Sequence, residues 1–221
     1  MTEIKGKSAE IVWKKALKHI LDNGKNFMDR NDRLCKECLN VILKVENTNG
    51  ITKPIEILNS FDKWVYPNVE EIKSSVLGKS GLNRYYYDYA NRIFIQGGIN
   101  QLEDYIIPLL KKDPNTRRAL IILYSPKKDS FLSKKEAPGM TSIHFNIRDN
   151  KLYVTSVIRS NDIFYGWPGN IVQSYFLGDY VSKKINIPLV SVDTISISAH
   201  IFEDQFEYIE KVLKMKRGMD S

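Results

Sequence analysis

Five side chains that can hold a small anion stand close together in the second half of the chain. Arg159, Ser160 and Asp162 lie within four positions, Asn170 follows eight residues later, and His200 follows thirty residues after Asn170. A guanidinium and a hydroxyl donate hydrogen bonds to an anion, while a carboxylate, an amide and an imidazole add acceptors and further donors. The spacing predicts a site for one small, anionic, hydrogen-bonding ligand.

A pair of arginines, Arg117 and Arg118, stands at the start of a predicted strand over Ala119–Tyr124. Several planar guanidinium groups suit a dianionic phosphate, because each charge-assisted hydrogen bond is about twice as strong as a neutral one. The alternative is a solvated charge pair at a strand edge. Together with Arg159, the pair favours a phosphate-bearing ligand.

The length and composition predict one hydrophobic core and a single domain over residues 1–221. Hydrophobic residues make up 43% of the chain, which is enough for a core at this length. No segment approaches the ~18 consecutive apolar residues of a membrane helix. The first thirty residues lack the apolar core of a signal peptide. We therefore expect a cytoplasmic protein with no membrane partner.

The charge of the chain favours anionic partners, since the formal net charge is +7 and the isoelectric point is near 9.2. The aromatic run Arg84–Tyr89 could stack on nucleic-acid bases. Lysines and arginines are not interleaved with its tyrosines, however, so a ligand-pocket wall or core is favoured. A nucleic-acid partner is disfavoured.

Cys35 and Cys38 are the only cysteines, in a C-x-x-C arrangement. This spacing is found in redox pairs and in half of a zinc site, but no second pair and no nearby histidine completes a tetrahedral set. We interpret both as structural thiols and expect no metal.

The remaining pattern alternates helices and strands and predicts an α+β (α/β) fold. Ser8 and Gly24 bound an amphipathic helix. The predicted strands are 40–47, 119–124, 142–148, 152–158 and 191–200, and the later predicted helices are 69–77, 99–110, 170–184 and 203–216. The Asp149-Asn150 turn makes 142–158 a hairpin that delivers Arg159 and Ser160 to a loop, with Asn170 near the N-cap of the next helix.

With this order of elements, the chain resembles the thymidylate synthase and pyrimidine-nucleotide (dCMP, dUMP) hydroxymethylase family. The motifs that carry the resemblance are D-P-N-T-R-R-A, R-S-x-D, G-x-P-x-N and A-H, and the match is specific from Asp113 to about Gln205. The resemblance implies a large mixed sheet packed against helices and a homodimer formed through the sheet. It also implies a nucleoside monophosphate as substrate and 5,10-methylenetetrahydrofolate as cofactor.

The resemblance also implies a role for each motif residue. Arg159 and Ser160 would bind the nucleotide phosphate, Asn170 would read the pyrimidine edge, and His200 would touch the sugar. Asp162 would contact the folate pterin. Asp162 and Asn170 are thus the candidate catalytic residues.

Further phosphate contacts are implied by two other matches to the family pattern. Arg117 and Arg118 match paired arginines that reach across a dimer interface to the partner's phosphate. Arg30, in the turn Asp29–Asp32, matches an arginine of the N-terminal loop. The implied site is therefore shared between two subunits.

The family's nucleophile is missing. Family enzymes attack carbon 6 of the pyrimidine with a cysteine thiolate that follows an Ala-Pro pair, because carbon 5 of uracil is otherwise a poor nucleophile. Here Ala137-Pro138 is followed by Gly139, twenty residues before Arg159. Gly139 is the lost-nucleophile position.

Three further positions depart from the family pattern or have no clear match. Ile158 replaces a glutamine, and Phe202 stands where a tyrosine is usual, which puts deoxyribose recognition in doubt. The family glutamate that orders water beside the base has Glu70 and Glu71 as its nearest candidates. A solvated charge at a helix start explains both glutamates equally well.

Three hypotheses remain open from the sequence. The first is a methyl or hydroxymethyl transferase whose ring substrate is electron-rich enough, for example through an amino or hydroxyl group, to react without a covalent cysteine adduct. The second is a non-catalytic nucleotide-binding dimer of the same fold. The third is an ordinary synthase or hydroxymethylase whose natural cysteine has been exchanged for glycine. The amide at Asn170 favours a uracil-like edge over a cytosine-like one.

Overall fold

A large mixed sheet forms the centre of the molecule. The computed structural model describes residues 1–78, 89–133 and 137–215. The strands in these ranges are β1 (Thr2–Gly6), β2 (Lys25–Met28), β3 (Leu34–Val45), β4 (Leu120–Ile122), β5 (Met140–Arg148), β6 (Lys151–Ile158), β7 (Asn161–Asp162) and β8 (Leu189–Phe202). Their order is β1-β3-β8-β6-β5-β4, with β2 paired to β3 and β7 paired to β8.

Helices pack against this sheet, so the predicted α+β class is confirmed. The helices are α1 (Ala9–Asn23), α2 (Lys53–Leu58), α3 (Val69–Leu77), α4 (Tyr89–Phe94), α5 (Ile107–Lys112), α6 (Pro126–Asp129), α7 (Gly166–Ile185) and α8 (Phe206–Lys214). Short 3-10 turns occupy Gln96–Gly98 and Glu203–Gln205, and a π-helical turn occupies Gln101–Ile106. No helix in the described ranges is long and apolar enough to cross a membrane.

The local signals of the first helix and the hairpin act as predicted. The Ser8 side chain accepts a hydrogen bond from the backbone of Ile11, and Gly24 ends α1. Asp149 and Asn150 both have positive φ, at 51° and 55°, which is the geometry of a two-residue type I′ turn between β5 and β6.

Several predicted boundaries differ from the structure. Helix α7 begins at Gly166, so Asn170 lies in its second turn rather than near the N-cap; Pro168 is tolerated because the first-turn N–H groups need no helical acceptor. The helix predicted over 99–110 is a π-helical turn followed by α5, since Pro108 has no N–H for the regular ladder. Strand β4 is only three residues long.

Strand β3 changes faces at Asn40, whose φ is +56°. Before this residue Glu37 points to one side of the sheet, whereas Val41 and Leu43, after it, point into the core beneath α1. Unbroken alternation would place all three on one face. The kink therefore frees the N-terminal half of β3 for the cavity described next. The predicted strand, 40–47, covers only the core-facing half.

Candidate functional site

One cavity of about 780 Å³ lies where β3, β8, α3 and α7 converge. The predicted site residues that line it are Arg30, Gly139, Arg159, Ser160, Asp162, Asn170 and His200. Arg117 and Arg118 do not line it; both are exposed, just before β4. A single chain thus brings together most of the predicted site and leaves the arginine pair outside.

Arg159 ties two loops of the cavity together. Its Nε donates to the carbonyl of Pro138 at 2.9 Å and its Nη2 donates to the carbonyl of Ala137 at 2.7 Å. Its backbone N–H donates to the carbonyl of Gly139 at 2.9 Å. The guanidinium is therefore fixed by main-chain oxygens. Nη1 has no hydrogen-bond partner among the described residues and remains a donor for a ligand.

The loop that carries Arg30 is ordered by Asp29. One carboxylate oxygen of Asp29 accepts from the backbone N–H groups of Asn31 and Arg33, at 2.8 and 2.9 Å. The other accepts from the Arg33 guanidinium at 2.7 Å. The backbone hydrogen bonds and the guanidinium lower the pKa of Asp29, so the carboxylate stays ionised and holds the turn that places Arg30 at the cavity.

Asp162 caps the start of the segment that leads into α7. Its Oδ1 accepts from the backbone N–H groups of Phe164 and Tyr165, both at 3.0 Å, and its Oδ2 accepts from Gln205 at 2.8 Å. Burial raises the pKa of Asp162 despite these bonds and the nearby His200. Oδ2 keeps one lone pair for a further donor.

Asn170 and Gln173 are three positions apart on α7, so they share a face that lines the cavity. The Asn170 amide donates to Asn161 Oδ1 at 3.4 Å. Asn161 is held in turn by Ser196, at 2.8 Å. This chain leaves the Asn170 oxygen as an acceptor at the cavity.

The hydrogen bonds of Ser75 fix the orientation of the Gln173 amide. Ser75 Oγ donates to the carbonyl of Ile72 at 2.6 Å, so it can only accept from Gln173, whose Nε2 lies 2.9 Å away. Gln173 is 7% exposed, and its Oε1 has no hydrogen-bond partner among the described residues. A buried acceptor without a donor is costly. The end of the cavity between α3 and α7 therefore lacks a donor that a ligand can supply.

Glu37, Ser198 and His200 form a hydrogen-bonded chain at the cavity wall. Ser198 Oγ lies 2.5 Å from Glu37 Oε1 and 3.3 Å from His200 Nδ1. The Ser198 hydroxyl donates its hydrogen bond to the Glu37 carboxylate, so it can only accept from His200 Nδ1. The proton of the neutral imidazole therefore lies on Nδ1. Glu37 and His200 are also direct partners across the β3–β8 pairing.

A side chain at the position of the missing nucleophile would meet the backbone of Ser160. A Cβ built on Gly139 would lie 3.2 Å from the carbonyl oxygen of Ser160. Ile158, which replaces the family glutamine, is fully buried in the core and does not line the cavity. Both positions thus lack a polar side chain directed at a ligand.

Cys35 lines the cavity, and Cys38 packs against the core on the other side of β3. Burial, and next the charge of Asp29, raise the pKa of the Cys35 thiol. The Cys35 side chain is fully buried and its Sγ donates weakly to the carbonyl of Arg33 at 3.4 Å. A thiol in this state is a poor nucleophile. The described ranges contain no cluster of His, Cys, Asp and Glu that could hold a metal ion.

Of the other residues singled out in the sequence, some line the cavity and others do not. Glu71 lines the cavity, and its carboxylate accepts the backbone N–H of Asn68 at 2.9 Å in a capping box. Glu70 is exposed and does not line the cavity. Trp167 is fully buried and donates to Thr194 at 3.1 Å, so it packs beneath the turn. Within the run Arg84–Tyr89, residues 84–88 lie outside the described ranges.

Sequence reasoning missed the cavity residues that no motif marks, chiefly Glu37, Ser198, Gln173 and Tyr66. Tyr66 packs against Gly169, where an added Cβ would lie 2.4 Å from its hydroxyl. Gly169, the residue before Asn170, thus allows this close approach because it has no Cβ. Helical spacing from Asn170 was the one signal that pointed to Gln173.

Comparison with known proteins agrees with this arrangement. The model of the family described as thymidylate synthase matches residues 55–219. The chain belongs to the thymidylate synthase family.

Three curated relatives, each named "Putative thymidylate synthase", align over nearly their whole length. The Methanocaldococcus jannaschii protein is 32% identical over 216 residues, 94% of this chain and 94% of the relative. The Methanothermobacter thermautotrophicus protein is 28% identical over 214 residues, 91% and 94% of the two chains. The Methanosarcina mazei protein is 27% identical over 212 residues, 96% and 94% of the two chains. The family assignment therefore rests on nearly the whole length of the chain as well as on the motifs.

Proposed function

We propose that this member of the thymidylate synthase family transfers a one-carbon unit, methyl or hydroxymethyl, to a phosphorylated pyrimidine-like nucleotide without a covalent cysteine adduct. The observation that carries the proposal is the convergence of Arg30, Arg159, Ser160 and Asn170 on one cavity in which Gly139 supplies no thiol. A binding site of this kind, with its activating group removed, suits a substrate that needs no activation.

Arg30, Arg159 and Ser160 bind the phosphate in this proposal. Two guanidinium groups and a hydroxyl can donate several charge-assisted hydrogen bonds to a dianion. Asp29 orders the loop of Arg30, and the carbonyls of Ala137 and Pro138 fix Arg159. Such preorganisation lowers the entropic cost of binding.

Asn170 orients the ring, and the ring carbon must be nucleophilic in its own right. An amino or hydroxyl substituent on the ring would supply that electron density. His200 Nε2 is an acceptor at the cavity when the ring is neutral, because Nδ1 carries the proton. The described side chains thus hold and orient the substrate, and none of them forms a covalent bond to it.

The cofactor of the proposal is 5,10-methylenetetrahydrofolate, which supplies a one-carbon unit when bound. The cavity, at about 780 Å³, lies in the upper part of the range for small-molecule sites, ~300–1,000 Å³, so it has room for a second ring system. Asp162 has a lone pair left on Oδ2 for an N–H donor of a pterin. These features fit the cofactor, and Asp162 would orient it.

A homodimer completes the site in this proposal, with Arg117 and Arg118 of each subunit reaching the partner's phosphate. Both arginines are exposed and away from their own cavity. Strands β5 and β6 alternate between fully buried and half-buried residues, so only one face of the sheet is covered within the chain. Exposed apolar residues on the strands, such as Ile122 and Ile197, support an interface through the sheet.

Binding and mass measurements test the transferase. Calorimetry with uridine and cytidine monophosphates, with and without 5,10-methylenetetrahydrofolate, should show that each ligand tightens the other. Incubation should then add one carbon to an amino- or hydroxyl-substituted nucleotide, detected by mass spectrometry. Absence of any folate-dependent mass change across such nucleotides would reject catalysis.

A second candidate function is a nucleotide-binding dimer without catalysis. Gly139 and the buried Ile158 favour it, because both positions lack the polar side chains typical of the family's enzymes. Nucleotide binding without any effect of the folate would support this candidate over the transferase. Absence of nucleotide binding would remove both.

The shared site has its own test. Subunits carrying Arg159→Ala and subunits carrying Arg117→Ala should each bind nucleotide weakly as homodimers. Each proposed site combines Arg159 of one subunit with Arg117 of the other. In a mixed dimer one site therefore carries both substitutions, and the other site is intact and should bind nucleotide. Failure of mixing to restore binding would show that the site is built from one chain.

A further inference from the structure

We infer that Glu37 and Ser198 join His200, to which the family resemblance already gives a sugar contact, and that the three side chains select a ribonucleotide over a deoxyribonucleotide. The inference deepens the proposed function, on which it rests. The juxtaposition of a carboxylate, a hydroxyl and an imidazole on β3 and β8 carries it.

The three residues lie between the phosphate end and the base end of the cavity. The backbone N–H of Ser198 donates to the carbonyl of Arg159 at 3.2 Å, so Ser198 is next to the phosphate arginine. His200 pairs with Asp162 across β7 and β8, and Asp162 begins the segment that leads to Asn170 on α7. In a nucleoside monophosphate the sugar joins phosphate to base. The sugar therefore meets these three side chains.

Their protonation pattern suits hydroxyl groups. Glu37 Oε1 accepts from Ser198, which leaves Oε2 as an acceptor without a donor among the described residues. His200 carries its proton on Nδ1 and so offers Nε2 as a second acceptor when the ring is neutral. Two acceptors side by side match the two hydroxyl donors of a ribose cis-diol. An acidic side chain serves the same purpose at ribose in dinucleotide-binding folds.

Within the described ranges, no neighbouring side chain donates a hydrogen bond to Glu37 Oε2. Phe202, two residues after His200, has no hydroxyl; its ring meets the His200 ring edge-on, with centroids 5.2 Å apart. The Arg33 guanidinium stacks over the Phe202 ring, 3.9 Å from its centroid, and pairs with Asp29. Arg33 is thus engaged elsewhere, and the carboxylate of Glu37 is free to read the sugar.

A deoxyribose leaves this site incompletely satisfied. Its missing 2′-hydroxyl removes one donor, and a partly buried carboxylate oxygen then has no partner. A hydrogen bond to a charged group corresponds to roughly tenfold or more in affinity. We expect the protein to bind a ribonucleotide at least about tenfold more tightly than its deoxy form.

Calorimetry with four probes tests the inference: cytidine and uridine 5′-monophosphates and their 2′-deoxy forms. The wild-type protein should prefer both ribonucleotides, and Glu37→Ala should reduce the preference to about twofold or less. The matched control is Glu3→Ala, which removes a glutamate paired with Lys44 on the same sheet, away from the cavity; it should keep the full preference. If Glu37→Ala does not fold, Glu37→Gln decides, with a smaller loss expected.

The outcomes separate this inference from the function on which it rests. Equal binding of ribo and deoxy forms by the wild type, or a preference that survives in the Glu37 variants, overturns the sugar assignment and leaves the nucleotide site standing. Failure of all four probes to bind overturns the proposed function as well.

Discussion

The two ends of the cavity are built on different principles. At the phosphate end, Arg159 is charged and fixed by three hydrogen bonds between its own atoms and the loop 137–139. At the α3–α7 end, Gln173 is neutral, buried, and leaves its oxygen without a donor among the described residues. In the proposed function, the charged end supplies affinity for a phosphorylated ligand. The neutral end, where an unmatched ligand leaves a buried acceptor unsatisfied, would supply discrimination between rings.

The largest effect is expected at the charged end. Arg159→Ala should weaken the binding of uridine monophosphate about a hundredfold, because it removes a charge-assisted donor and also frees the loop of Gly139. Calorimetry measures the affinity, and hydrogen exchange should show faster opening of residues 137–141. Arg148→Ala, at the exposed end of β5 and away from the cavity, is the control. Equal losses in both variants would show that general charge, and not this site, determines binding.

A smaller effect is expected at Gly139, in the loop that Arg159 fixes. Gly139→Ala should lower the free energy of unfolding by about 1 kcal/mol, because its Cβ would approach the Ser160 carbonyl oxygen to 3.2 Å. Urea denaturation measures this. Gly166→Ala is the control, since its Cβ would meet Asp162 at an ordinary 3.5 Å. An equal loss of stability in Gly166→Ala would show that the contact with Ser160 does not cause the effect.

At the neutral end, Gln173→Met should alter selectivity more than affinity. The substitution removes the unsatisfied acceptor while keeping side-chain volume. The ratio of affinities for cytidine and uridine monophosphates should change about fivefold, as expected for one hydrogen bond. Gln96→Met is the matched control. Gln96 also has a buried side-chain oxygen without a partner among the described residues, but it lies outside the cavity. An unchanged ratio in Gln173→Met would show that this end does not contact the base.

The last expected effect appears only in the pH dependence of stability. Burial raises the pKa of Asp162 above its ordinary 3.8, so ionisation favours the unfolded state. Near pH 3 the wild type and Asp162→Asn should have similar free energies of unfolding. As the pH rises through and above about 3.8, the free energy of unfolding of the wild type should fall relative to that of Asp162→Asn. Thermal unfolding across this range measures the difference. A stability difference of the opposite sign would mean that the folded protein favours the ionised carboxylate.

The two ends of the cavity differ in how much of their structure could be predicted from the sequence. The grouping of residues around Arg159 was predicted because they follow each other within one strand, turn and helix. Their role in binding phosphate stays a prediction. The structure places Arg159, Ser160, Asp162 and Asn170 around one cavity. The start of α7 was misplaced because Asp162 and Pro168 support a helix that begins before Asn170. Glu37 was not singled out, because the kink at Asn40 that turns β3 toward the cavity has no reliable sequence signal.

The sequence by itself determined the family, the hairpin, the amphipathic helices and the absence of a side chain at Gly139. These depend on local periodicity, turn residues and motif spacing, which act over a few positions. Only the tertiary structure decided that Glu37 meets Ser198 and that Gln173 meets Ser75, pairs separated by 161 and 98 residues. Such contacts arise from sheet pairing and helix packing, so no short stretch of the chain encodes them. The residues that we propose discriminate between ligands belong to this second group.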